Sequence, residues 1–194
     1  QNDVRAEGRF ADIVAYGGWS MDDHHPAGFN HPGAPTIFHP APSPFGIPYR
    51  CLYSANVPNL FFAGRNISTT HAAMSSTRVM ATCGLLGQAV GTAAAIATAK
   101  GCSPREVGQN YITQLQQALL DDDCFLPWQR RVVAELSTTA ALKASVNDPE
   151  PLRNGLDRPS KNAQGTWDDN SWQGPAEAWV EYDFGRVVTI SQAR

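Results

Sequence analysis

The sequence has 194 residues, enough for one full domain or parts of two. Its 42% hydrophobic and 17% charged content is an ordinary globular balance and excludes general disorder. A net charge of −3, without a basic run or basic face, excludes a nucleic-acid backbone as partner.

Cys51, Cys83, Cys102 and Cys124 stand far apart and form no CxxC pair, which argues against a zinc ribbon or a dense disulfide framework. Cys83 falls within an apolar helical pattern and reads as a small core residue. No segment reaches about 18 uninterrupted apolar residues, so no membrane span is expected. The sequence opens at Gln1 without an initiator methionine and closes on "VVTISQAR", which reads as the middle of a strand. Both ends read as cut, and the chain is expected to be a piece of a longer polypeptide.

Weak strand signals lie around Ile13 to Tyr16. From Gly17 to Pro48 periodicity vanishes, and seven of the fourteen prolines and four of the five histidines fall there. A loop of that length without secondary structure is uncommon unless functional or packed on a scaffold. Its prolines should hold it extended and stiff. "IPYRCLYS" and "LFFAG" read as strands, the second short and buried on both faces.

Ser75, Ser76 or Thr77 can then cap a helix running to about Lys100. Gly84, Gly87, Gly91 and Ala94/Ala95 put almost no side chain on one of its faces. Each helical glycine costs roughly 1 kcal/mol relative to alanine, so a neighbouring backbone or a flat ligand is expected to approach that face. "SPRE" at 103–106 is a capping box opening an amphipathic surface helix through Val107, Tyr111, Leu115 and Leu119. The acidic run Asp121–Asp123 reads as a solvated turn, since it lacks the spaced oxygen ligands of a calcium site. From about Ala140 short alternating runs separated by Asn, Asp, Gly and Pro carry a β-sandwich signature. A domain boundary is expected near residue 137.

Two groups of residues could carry chemistry. Gly64 ends the apolar run and lets the backbone turn sharply, while the open amides at the start of the following helix suit an anion or a carbonyl oxygen. That pattern alone is equally a βα unit packed on a sheet. His24 and His25 follow Asp22 and Asp23, a cluster that fits a general acid or base with an orienting carboxylate, a metal half-site or a hydrogen-bonded loop anchor. No histidine pair has the i, i+4 helical spacing of a metal site, and none of these residues is assigned to a metal. His31 and His39 read as loop packing.

"YGGWSMDDHHPAG" (16–28), "FGIPYRCLYS" (45–54), the run from "NLFFAGRNISTTHAAM" through "GTAAA" (59–95) and "DDDCFLP" (121–127) resemble the C-terminal part of FAD-dependent oxidoreductases often described as xanthan-lyase-like, within the glutathione-reductase-type flavoprotein superfamily. The resemblance implies FAD as cofactor and hydride transfer from a small organic or carbohydrate-like substrate. It implies a dinucleotide fingerprint upstream of this piece, which would explain the absence of one here and would leave the piece alone without most of its phosphate cradle. It places Ala63, Gly64 and Arg65 near the pyrophosphate, and Thr77, Arg78, Val79 and Met80 at the flavin pyrimidine edge. Many relatives carry an acidic residue after this glycine, and Arg65 departs from that. His71 is implied close to the flavin, and it joins His24 and His25 of the acidic cluster as the catalytic candidates.

"NGLDRP" (154–159), Trp167, Trp172 and "WVEYDFG" (179–185) resemble the first half of a discoidin-like, galactose-binding-type sandwich, with Trp167 or Trp172 as candidates to face a glycan and Trp179 expected in the core. That tail points to export to the periplasm or outside the cell, although no targeting segment is visible. The expected fold class is α/β, with α+β content in this piece. A partial FAD-binding Rossmann-type domain with a long proline-rich loop (1–136) would be followed by a truncated β-sandwich (137–194). The alternative is a polysaccharide-binding or lyase-type protein with a vestigial nucleotide fold, for which neither base nor neutraliser can be assigned.

Overall fold

The computed structural model describes residues 1–161 and 166–191, which divide into two compact units, Gln1–Trp128 and Gln129–Arg194. Small sheets and helices mix in both, an α+β arrangement.

In the first unit a short helix α1 (Asn2–Arg5) precedes strand β1 (Ile13–Gly17), and the hairpin strands β2 (Met21–His24) and β3 (Thr36–His39) follow. Strand β4 (Phe45–Pro48) returns antiparallel to β1, pairing Ala15 with Ile47 and Gly17 with Phe45. Both strands are almost wholly buried because their apolar side chains are covered on each face. Gly46 is obligatory there: a β-carbon would collide with the Gly8 carbonyl oxygen and the Ile13 side chain.

Helix α2 (His71–Thr77) leads through Arg78 and Val79 into α3 (Met80–Lys100). Two further helices, α4 (Pro104–Asn110) and α5 (Ile112–Asp121), complete the unit. The buried face of α3, including Thr82, Leu86, Ala89, Ala93 and Ile96, packs against β1, α4 and α5. By length and composition α3 could also cross a membrane, although a third of its most apolar window (33%) is buried in this unit. Tyr49, 1% exposed, ties the core together by donating its hydroxyl to the Pro104 carbonyl at 2.6 Å. Gln116 closes the opposite side with amide bonds to the carbonyls of Ala11 and Ile13.

Several expectations are corrected. The proline-rich stretch is not devoid of secondary structure, because β2 and β3 pair in register from Met21–His39 to His24–Thr36. "LFFAG" is not a buried strand: Phe61 makes one isolated bridge to Tyr53, and Phe61, Phe62 and Ala63 are half-buried. No other described strand lies beside that run to complete a ladder. "IPYRCLYS" is a strand only to Pro48, after which Tyr49–Cys51 tighten into a 3-10 turn.

Ser75, Ser76 and Thr77 do not cap the long helix. They are the buried last turn of α2, whose cap is Thr70, accepting from the Ala73 amide. Ser103 and Glu106 form the expected capping box, but the helix they open breaks at Tyr111, where φ −131° interrupts the ladder. Val107, Leu115 and Leu119 are fully buried.

The second unit contains α6 (Glu135–Thr139) and strands β5 (Ala141–Ala144), β6 (Ser160–Lys161), β7 (Trp167–Asp168) and β8 (Val180–Asp183). β5 pairs with β8 and β6 with β7, both antiparallel, as two separate two-stranded sheets. Arg153 holds the end of α6 by donating Nη1 to the carbonyls of Ser137, Thr138 and Ala140, while Nε bonds the Glu150 carboxylate at 2.9 Å. Residues 129–136 belong to this unit through Arg130–Asp168 and Arg131–Asp157 ion pairs of 3.0 and 2.8 Å. The compositional change therefore sits several residues after the point where the units divide.

Trp179, which immediately precedes β8, is 52% exposed rather than in a core. Trp172 is anchored, its indole N–H donating to the Val146 carbonyl at 2.8 Å, and Trp167 is 67% exposed. Val187–Ser191 form no strand. The tail positions 162–165 and 192–194 lie outside the described residues.

Candidate functional site

The site is built around the start of α3. Val79 is extended (φ −64°, ψ 139°) and its side chain provides no cap. The first helical bond runs from the Cys83 amide to the Val79 carbonyl at 2.9 Å. The amides of Met80, Ala81 and Thr82 therefore have no carbonyl within the helix to bond and carry its partial positive charge. Met80 is 88% exposed.

Gly64 lies against this first turn. It opens a 3-10 turn (Gly64–Asn66) with a left-handed φ of +66°, and a β-carbon there would meet only Cys83 Cβ and Sγ, at 3.9 and 4.0 Å. The backbone angle, rather than crowding, requires glycine. Ala63 is extended and half-buried beside it, and Arg65 is exposed with no hydrogen-bond or ion-pair partner among the described residues.

Gly84, Gly87 and Gly91 face outward, and beyond the neighbouring residues and backbone of the helix itself no described atom lies within 4 Å of a β-carbon on any of them. The close approach expected at this stripe is thus not made by the described residues.

The junction ahead of α3 is fastened to the hairpin. Ser76 donates its hydroxyl to the Trp19 carbonyl at 2.5 Å, and Arg78 donates Nη2 to the Asp22 carbonyl at 3.0 Å. Thr77, 5% exposed, turns instead into a cavity of about 420 Å³ lined by Phe45, Arg50, Cys51, Ser68 and Thr70 among others. Burial pushes the Cys51 thiol up within that wall.

The histidines separate by their partners. His71, first residue of α2, places Nε2 2.9 Å from an Asp23 carboxylate oxygen. His24 engages the Thr36 hydroxyl through Nδ1 at 2.8 Å. His25 stacks on His31 with ring centroids 3.7 Å apart and accepts from the Ala27 amide through Nδ1, the geometry of a loop anchor. Asp22 is engaged separately: the Trp19 indole bond chiefly, with the Ser20 hydroxyl and the charges of His24 and Arg78, holds its carboxyl below the usual range. Among the described residues no group of three or more His, Cys, Asp or Glu is placed to hold a metal.

A family model described as FAD dependent oxidoreductase matches residues 1–119. The chain belongs to the FAD-dependent oxidoreductase family. No curated protein and no solved structure matches it.

FAD is thus the cofactor of this FAD-dependent oxidoreductase, and the residues present fit the group. Three amides and the Arg65 guanidinium, without partners among the described residues, offer donors and charge to an anionic ligand, and Gly64 brings backbone onto the same helix turn. Sequence reasoning missed Asp23 as the partner of His71. The two are brought together only by hairpin pairing and α2 docking, for which the local sequence holds no signal.

Proposed function

We propose that this oxidoreductase transfers hydride from a small organic or carbohydrate-like substrate to FAD, whose pyrimidine edge meets the start of α3. When bound, FAD supplies the hydride-accepting chemistry. Ala63, Gly64 and Arg65 attend the pyrophosphate, the first two by close backbone approach and Arg65 by charge. Arg78, Val79 and Met80 present the helix start, whose dipole stabilises negative charge on the reduced ring. Thr77 supports that junction through its carbonyl, which accepts from the Cys83 thiol at 3.8 Å. His24, His25 and His71 are the candidate proton-handling groups on the substrate side.

The observation that carries this reading is the packing of the Gly64–Asn66 turn against α3, so close that a β-carbon on Gly64 would lie 3.9 Å from Cys83 Cβ. It puts the left-handed turn expected at the phosphates against the uncapped first turn of α3. Purification of the full-length protein tests it. The expected preparation is yellow, with flavin absorption bands that survive gel filtration. A folded preparation that is colourless and refuses added FAD contradicts the reading.

A further inference from the structure

The last residue of α2 holds a buried polar group that the fold does not use. Thr77 is 5% exposed, and its hydroxyl has no hydrogen-bond partner among the described residues. The two hydroxyls before it are both engaged: Ser75 donates to the Ala72 carbonyl at 2.6 Å and Ser76 to the Trp19 carbonyl at 2.5 Å. Buried hydroxyls are ordinarily bonded, so an unbonded one calls for an occupant in the space it faces. That space is the cavity of about 420 Å³ within the first unit, which Thr77 lines.

Its walls are apolar and anchored. Val4, Phe45, Ile47, Ile67 and Ala73 line it, and all five are buried. On one side β4 is paired with β1; on the other, Ser76 and Arg78 tie α2 to the hairpin carbonyls. The cavity is therefore preformed, as small-molecule pockets usually are. An apolar cavity of about 150 Å³ takes up benzene, so this one has room for a bicyclic compound.

The charge pattern selects a neutral occupant. Among the described residues the charged side chains on the lining are Asp3 and Arg50, opposite in sign and both exposed. Arg50 is already bonded to the Asp12 carboxylate and lies 4.5 Å over the Phe10 ring. Burial pushes the Cys51 thiol up, so this part of the wall stays uncharged at neutral pH. A charged ligand would lose its hydration against Thr77 and apolar side chains that offer no counter-charge.

We propose that this cavity binds an uncharged, mainly apolar small molecule of bicyclic size, whose hydrogen-bonding group meets the Thr77 hydroxyl. The proposal does not rest on the flavin reading. The carbonyl of Thr77 accepts from Cys83 of α3, whereas its side chain lines the cavity.

The test titrates methyl-labelled full-length protein with 2-naphthol, naphthalene, 2-naphthoate and 2-naphthylmethylammonium. The methyl signals of Val4, Ile47 and Ile67 are the readout. 2-Naphthol should shift them and bind about fivefold tighter than naphthalene, the worth of one net hydrogen bond. Both ions should bind at least about tenfold more weakly than 2-naphthol. Thr77→Val keeps the shape and removes the hydroxyl, so it should bring 2-naphthol down to the affinity of naphthalene. Ala73→Leu puts an isopropyl group into the cavity and should weaken both neutral compounds, with methyl signals elsewhere in the unit unchanged.

No shift with either neutral compound overturns the proposal, the cavity then being filled by water or by another part of the polypeptide. An ion bound as tightly as 2-naphthol overturns the ligand class. A preference for 2-naphthol that survives in Thr77→Val overturns the role of that hydroxyl. Binding that survives Ala73→Leu unchanged puts the compounds elsewhere and overturns the site.

Discussion

Arg78 donates Nη2 to the backbone carbonyl of Asp22 at 3.0 Å, so the residue that joins α2 to α3 is also the one that grips the hairpin. The bond is partly buried and made by a charged donor to a neutral acceptor, worth about 1 kcal/mol net. Arg78→Ala should therefore free β2 locally without unfolding the unit. Amide hydrogen exchange across Met21–His24 is expected to rise about fivefold, the factor that corresponds to 1 kcal/mol. Unchanged protection would mean the hairpin is held by something else.

Gly64 makes a second prediction. Its φ of +66° costs a residue with a β-carbon about 1–2 kcal/mol, whereas the nearest obstacle, Cys83 Cβ at 3.9 Å, costs nothing. Gly64→Ala should lower the unfolding free energy from urea titration by an amount in that range, and Gly64→Asn should lower it less, because asparagine tolerates the left-handed region. Equal losses in both variants would show that space, not the backbone angle, is limiting.

Tyr49 links stability to pH. Burial pushes its phenol well above the ordinary value of 10.0. The unfolded chain ionises first, so the stabilisation is complete below pH 10 and is lost as the pH rises from there toward the folded value. Tyr49→Phe should cost about 1–2 kcal/mol near neutrality by leaving the buried Pro104 carbonyl without its donor. It should also flatten the alkaline decline of stability. Denaturation curves of both proteins at pH 8 and above 10 measure both effects; a parallel decline would contradict the assignment.

How much of this was legible in the sequence depends on distance along the chain. The α4 capping box could be read because Ser103 and Glu106 are three residues apart and act on each other. The end of α3 was legible for the same reason: Gly101 stops it in a left-handed conformation. The break that precedes α3 was not, since "STTHAAMSST" offers six hydroxyls, and only docking on β2 makes Thr70 the cap of a separate α2 and buries Ser75, Ser76 and Thr77. The β2–β3 hairpin was hidden because "MDDH" and "TIFH" have no alternation; their pairing joins polar and exposed apolar residues alike. Gly64 drew notice by its place after an apolar run, although that run is no strand. Asp23 emerged only when the hairpin laid it against α2.

Met80→Pro removes one donor at the start of α3 with little disturbance. Proline is favoured at the first helical position, and Val79 already has the extended backbone that a residue before proline requires. If that amide faces the reduced flavin, the two-electron potential should become about 30 mV more negative, equivalent to about 1.4 kcal/mol. Spectroelectrochemical titration reads the shift, and an unchanged potential would place the amide away from the ring.

A structure of the full-length protein with FAD bound tests the central claim most directly. The expected result is the flavin pyrimidine edge within hydrogen-bond reach of the amides of Met80, Ala81 or Thr82, with the pyrophosphate at Gly64 and Arg65. An isoalloxazine ring bound elsewhere, with the first turn of α3 covered by protein side chains, would contradict the account.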